Sequence, residues 1–218
     1  MKKVLSLIFS VVLAGVMTVP TFASCQTNSM DVPQTQTAVV TNDCGYSYEV
    51  IGELVNSISP NSITNSASAT YKYVIPLRAG NGTQTEHTQD PTYGLTVYNT
   101  VNWTTSYEDV FVYAHFDNAQ VSFDLSDSKI RLGGIDFHCL AYGIPKPSTG
   151  RVYVRQQKDY SVPTSSLSFR GYTYDPGFTY AVGTTQAECQ FGCNIEITLL
   201  RGNASEWSFV APNTVFQT

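Results

Sequence analysis

Two side chains in this sequence are spaced for acid–base chemistry. Asp136 and His138 lie two residues apart in Ile135-Asp136-Phe137-His138-Cys139, a run of β-forming residues. In a strand, residues two apart share a face. The carboxylate would then stand beside the imidazole, orient it and raise its basicity. A hydroxyl such as Ser122 would have to come from a neighbouring strand to serve as nucleophile. Cys139 alternates to the other face with Phe137, so a Cys139–His138 nucleophile is disfavoured by the same geometry. The sequence contains no Gly-x-Ser-x-Gly elbow, no His-Glu-x-x-His and no phosphate loop. The outward face of an antiparallel sheet is polar by default, so the expected role of Asp136 and His138 is ordinary surface. Catalysis by a hydrolase built on these two residues is the alternative.

Metal chemistry has two possible locations. Asp117-Asn118 and Asp124 to Asp127 offer oxygen ligands of the kind calcium takes, but their spacing is not that of an EF-hand loop, and Asp, Asn and Ser are what turns require. A metal site is the sharper reading of Cys189 and Cys193, yet no second Cys or His pair sits nearby at zinc-finger spacing. The expectation is no metal and no cofactor. Five cysteines are present: Cys25, Cys44, Cys139, Cys189 and Cys193. An odd number in an exported protein needs an explanation. Cys44, Cys139, Cys189 and Cys193 are disulfide candidates with three possible connectivities, and the sequence does not choose among them. Cys189 and Cys193 would be about 13 Å apart in an extended segment, beyond bridging distance unless Gln190-Phe191-Gly192 turns.

Aromatic residues offer binding rather than catalysis. The chain has 14 Tyr, 11 Phe and 2 Trp. Tyr98, Tyr107, Tyr142, Tyr174 and Tyr180 are among those whose flat apolar faces would match a sugar ring if exposed. Most aromatics are expected in the core or in cross-strand pairs, with Trp103 and Trp207 both read as core.

The first 25 residues say where this chemistry would operate. Lys2 and Lys3 precede an apolar run from Val4 to Val16, followed by Pro20-Thr21-Phe22-Ala23-Ser24-Cys25. This is the pattern of a bacterial secretory signal. The run of about 13 residues is short of the roughly 20 that span a bilayer, and no later segment is long and apolar enough. Cleavage after Ala23 would release a secreted protein. Cleavage before Cys25 would leave that cysteine lipidated on the cell surface. Phe22-Ala23-Ser24 is a poor lipoprotein box and favours secretion. The odd cysteine count favours lipidation, which would leave four thiols to pair. Removing the signal leaves 10 basic and 17 acidic residues, net −7. That balance argues against nucleic acid, which needs a basic footprint, and against anionic lipid.

The elements that must position these residues read as strands and turns. Residues 1–23 form the expected signal, 24–43 a polar Thr/Gln-rich leader without periodicity, and 44–218 a single domain. Only 13% of the chain is charged, which suits an extracellular β protein. Leu95, Val97, Asn99, Val101 and Trp103 alternate onto one face. Pro76 ends a strand, Asn118-Ala119 reads as a turn, Gly133-Gly134 as a bulge within a strand, and Asp175-Pro176-Gly177 as a turn. Further strands are expected at Arg151 to Arg155, Leu167 to Tyr174, Phe178 to Val182, Asn194 to Leu200 and Glu206 to Val210. About ten short strands with frequent turns predict an all-β fold, an antiparallel β-sandwich of jelly-roll-like or Ig-like form.

Ile195-Glu196-Ile197-Thr198-Leu199-Leu200-Arg201-Gly202, followed by Glu206-Trp207-Ser208-Phe209, resembles the closing hairpin of small secreted β-rich proteins of Gram-positive bacteria. The Thr/Val/Tyr-rich segment Leu95 to Trp103 is similar as well. The resemblance covers about a quarter of the chain and implies no activity and no functional residue. The function expected from the whole sequence is an exported, non-catalytic binding module at or outside the cell surface. Carbohydrate or a cell-surface polymer is its candidate partner, and a lipid-tethered structural or interaction protein is a further alternative.

Overall fold

The computed structural model describes residues 32–43, 45, 47–60, 64–76, 94–108, 111–147, 152–184, 188–201 and 206–217. The expected signal, Cys25 and Cys44 lie outside the described residues. Among the described residues are twelve strands: β1 Thr35–Asn42, β2 Ser47–Ile58, β3 Ser66–Ile75, β4 Leu95–Glu108, β5 Phe111–Leu125, β6 Ile130–Gly143, β7 Val154–Ser161, β8 Tyr172–Tyr174, β9 Val182–Gly183, β10 Gln190–Arg201, β11 Glu206–Ala211 and β12 Thr214–Gln217. No α-helix occurs among the described residues, which hold only a 3-10 turn at Thr164–Ser166. No helix among them is long and apolar enough to cross a membrane.

All pairings are antiparallel, as the strand-and-turn rhythm predicts. The strands make one continuous sheet in the order β7-β6-β10-β11-β1-β2-β3-β4-β5-β8, with β12 on β10 and β9 on β5. This replaces the two separate sheets of the expected sandwich with a sheet that curls into a nearly closed barrel. Closure depends on the segment between β8 and β10. Gly183 donates to Ile144 O (2.9 Å) and Lys146 to Ala181 O (2.9 Å), tying this segment to the end of β6, while Thr184 donates to Val112 O on β5 (2.9 Å). The Gln156 side chain on β7 donates to Tyr180 O and accepts from the backbone N–H groups of Thr179 and Tyr180. Where β7 and β8 do not meet, Tyr160 and Tyr174 stack at 4.7 Å over Phe137. Aromatic contact there stands in for a missing ladder.

Local sequence explains much of this. β4 alternates without a break from Leu95 to Ser106, with Leu95, Val97, Asn99, Val101 and Trp103 turned inward. The β6–β10 register skips Gly133, the expected bulge. Asp175 Oδ1 accepts the Gly177 N–H at 2.7 Å in the expected turn, and Gly177 takes a φ of +58° that suits glycine. β3 stops before Pro76.

Other expectations need correction. Residues 35–42, read as leader, form β1, which lies between β2 and β11 with Ala38 and Val40 buried. Its threonines are β-formers whose outward polarity resembled a tail. Asn118-Ala119 is no turn: β5 runs through it, and the irregularity is a bulge at Asp117 against Asn102 and Trp103. β7 begins at Val154 and is strongly polar, with Arg155, Lys158 and Asp159, as befits an edge strand. Leu167 to Tyr174 shrinks to β8, and Phe178 to Val182 to a connection ending in β9. Trp207 is half-buried, packed against the core from its edge and edge-on to Tyr48.

The core fills the barrel. Trp103 is 2% exposed and packs edge-on against Phe191 and Phe216, while Phe116 joins Phe191 to Phe178. The C-terminal strand breaks at Pro212, which has no N–H to give a ladder. β11 pairs with Ile195–Leu200 and β12 with Gln190–Gly192 on the same side of β10. Gly192 is required at this break, since a Cβ there would lie 2.1 Å from Asn213 O. Buried polar groups then clamp the break from the opposite wall. Asn99 Nδ2 donates to Cys193 O (3.0 Å) and Ala211 O (2.8 Å). Asn213 Nδ2 donates to Ala69 O (3.0 Å) and Asn99 O (2.9 Å), and Tyr73 donates its hydroxyl to Pro212 O.

Candidate functional site

Asp136 and His138 both lie on the outer face of β6, as alternation predicts, and Cys139 faces the interior. The imidazole is held by other partners than Asp136. His138 Nδ1 is 2.9 Å from Asp159 Oδ1 on β7, and Nε2 is 3.8 Å from Glu196 Oε2 on β10. Ser208 donates to the other Glu196 oxygen at 3.2 Å. Both ring nitrogens face carboxylates, an arrangement that holds the ring in place rather than activating a hydroxyl. Ser122 is on β5, opposite Tyr98 of β4, and so on a different part of the barrel. The predicted pair is therefore on one face but does not assemble a nucleophile–base relay. Because His138 and its partners are 41–57% exposed, the cluster contributes little to stability. His138→Ala is expected to lower the unfolding free energy by less than about 1 kcal/mol in urea titrations.

The acidic segments are likewise engaged within the fold. Asp117 Oδ2 accepts from Thr104 at 2.8 Å, and Oδ1 faces His115 Nδ1 at 3.2 Å. His115 Nε2 donates to Phe178 O at 2.9 Å, which ties β5 to the closing segment. Asp127 accepts the Lys129 N–H and pairs with Arg201. Among the described residues, no group of three or more His, Cys, Asp or Glu is placed to hold a metal ion. Cys139, Cys189 and Cys193 are buried thiols, and no two cysteines among the described residues lie at disulfide distance. Burial pushes the Cys189 thiol up to about 12 and raises that of Cys193 as well, which suppresses thiolate reactivity.

A different outer face has the chemistry of recognition. Five strands place Asn56, Thr70, Thr100, Gln120 and Thr173 in one transverse row. The next row is Asn102 and Asn118, with the buried Ser68 opposite Asn102, and the row on the other side carries Glu53, Lys72, Tyr98 and Ser122. Cross-strand bonds order the two uncharged rows. The Thr70 and Thr100 hydroxyls meet at 2.9 Å, and Asn118 Oδ1 accepts from Asn102 Nδ2 (2.9 Å) and Gln120 Nε2 (3.1 Å). Tyr98 donates its hydroxyl to Asp124 Oδ2 at 2.8 Å, and that bond holds the phenol above its ordinary range. The ring is thereby fixed beside the rows. Arg155, Asp159, Asp136 and Glu196 share a separate outer face with His138.

Sequence reasoning named Tyr98 only among many aromatics and missed the row, because it exists only once β2, β3, β4, β5 and β8 are in register. The alternation of Thr and Asn along Thr96-Val97-Tyr98-Asn99-Thr100-Val101-Asn102 was its one local signal. Comparison with protein-family models, with curated proteins and with solved structures finds no match to this chain.

Proposed function

We propose that this protein is an exported, non-catalytic binding module whose ligand is a neutral, hydroxyl-rich polymer such as a polysaccharide. The observation that carries this reading is the uncharged row Asn56–Thr70–Thr100–Gln120–Thr173 across five strands. Amide and hydroxyl groups exchange hydrogen bonds with ligand hydroxyls without the large penalty of desolvating a charge. Tyr98 adds a flat apolar surface at the edge of the row. Strands hold these groups on a rigid sheet, so little side-chain order has to be gained on binding. Export follows from the N-terminal charge and hydropathy pattern. Intact mass of the exported protein separates release after Ala23 from a lipid on Cys25.

Affinity electrophoresis against a panel of neutral and acidic polysaccharides tests the binding. Retardation by a neutral polymer that persists at high salt is expected, since no ion pair is involved. Gln120→Ala and Tyr98→Ala should each weaken retention about 10-fold, equivalent to roughly 1.4 kcal/mol. Silence across the panel, or binding that salt abolishes, would remove the proposal.

A further inference from the structure

Cys139 and Cys193 face each other directly across the β6–β10 ladder. Both side chains are inside the barrel, at 0% and 1% exposure, and their sulfurs are in contact at 3.2 Å. The kind of pair they form follows from the backbone. Cys193 N–H donates to Asn213 O (3.0 Å), and Cys193 O accepts from Asn213 N–H (3.1 Å). Both of its ladder groups therefore point at the C-terminal strand, away from β6. Toward β6 the pair is of the non-hydrogen-bonded type, in which opposed Cα atoms approach to about 4.5 Å. A disulfide spans Cα separations of about 4.4–6.8 Å, so the strands need not move apart or slide for a bond to form. Cys189 is not an equivalent partner for Cys193. The residues between them, Gln190, Phe191 and Gly192, are extended β10 strand, which separates the two by about 13 Å.

We propose that Cys139 and Cys193 are a modification site, joined by a cross-strand disulfide under oxidising conditions. The oxidant is a low-molecular-weight disulfide. One cysteine thiolate attacks it, releasing a thiol and leaving a mixed disulfide. The second cysteine then displaces the remaining half. One protein S–S bond forms, two protein S–H bonds are lost, and the small disulfide is reduced to two thiols that carry away both protons. Because both sulfurs are buried, exchange takes place while β6 and β10 are coming together, before the barrel shields them. The closed loop contains β7, β8 and β9, so the bridge fixes both ends of the segment that seals the barrel. It also holds Cys193 O in place as an acceptor for Asn99.

The full chain, unfolded and reduced, is refolded in oxidised and reduced glutathione. Remaining thiols are then alkylated and the protein is digested without reduction. A peptide pair linking Cys139 to Cys193 is expected, with a Tm about 10 °C above that of the reduced protein. Alkylation of both residues after oxidative refolding overturns the proposal, as does finding either one bridged to another cysteine. In Cys139→Ala, a small apolar replacement, the redox-dependent rise in Tm should vanish, and a rise of undiminished size would count against the bridge. The peptide map on the wild-type chain decides the matter even if that variant folds poorly.

Discussion

Replacing Asn99 by alanine is expected to lower the unfolding free energy by about 2–3 kcal/mol, because two buried hydrogen bonds of about 1 kcal/mol each are lost and a small cavity is left. Asn99 is fully buried and donates from one amide nitrogen to Cys193 O and Ala211 O. These carbonyls lie beside Pro212, in the gap between β11 and β12. Cys193 O keeps its bond from the Asn213 N–H, so the variant loses two bonds without orphaning that carbonyl. Asn99→Leu restores the volume but not the donor and should remain destabilised. Asn99→Asp is nearly isosteric, yet it turns an acceptor toward two acceptors and is expected to be the worst of the three. Urea unfolding followed by tryptophan fluorescence reads the effect, with the midpoint shifting and the slope unchanged. If Asn99→Leu matches wild type, cavity formation rather than hydrogen bonding explains the alanine result. Asn213→Ala should act on the same clamp, because Asn213 donates to Asn99 O and Ala69 O. The double variant should then fall short of the sum of the singles.

Asp127→Ala is expected to cost about 3 kcal/mol, the scale of leaving one member of a buried ion pair without its partner. Arg201 reaches Asp127 Oδ2 with Nε at 2.9 Å and Nη2 at 2.8 Å, and their side chains are 15% and 9% exposed. Asp127 Oδ1 accepts the Lys129 N–H, so one carboxylate fixes the β5–β6 turn and anchors it to the end of β10. The Lys129 N–H is the chief cause of a carboxyl held below its ordinary 3.8. Burial opposes the shift, and the Arg201 hydrogen bond and charge reinforce it. A carboxyl depressed in the folded state stabilises the protein at pH above its unfolded value. That contribution is lost as pH falls through the lower folded value. Wild type should therefore lose stability below about pH 4, and Asp127→Asn should flatten that acid limb while keeping an acceptor for Lys129. An unchanged acid limb in Asp127→Asn would assign acid sensitivity to other carboxyls.

Some of this architecture was legible in short windows of sequence. The alternation from Leu95 to Trp103 identifies the inward face of β4 because side chains in a strand repeat every two residues. Gly133 marks its bulge, Pro76 its strand end and Asp175–Gly177 its turn, since each acts through its own backbone. β1 was missed for want of apolar residues: only Ala38 and Val40 are buried in it, and its place in the sheet is set by β2 and β11. The Asp117 bulge was mistaken for a turn because its polar residues are answered across the ladder by Thr104 and Asn102, which local reading does not bring together. The same holds for the sites. Placement of Asp136 and His138 on one face was readable, but the partners of His138 were not, because Asp159 and Glu196 arrive from β7 and β10.

The sequence by itself determined an all-β, antiparallel, weakly charged chain, because composition, alternation and turn residues act over a few neighbours. Tertiary structure decided that the strands curl into one nearly closed sheet, that Cys139 meets Cys193, that five strands align a neutral polar row, and that Asn99 reaches Cys193 O from 94 positions away. Those outcomes depend on which strands pair and in what register. That choice is made by burying the interior and satisfying every backbone group at once, a condition on the whole chain that no local segment carries.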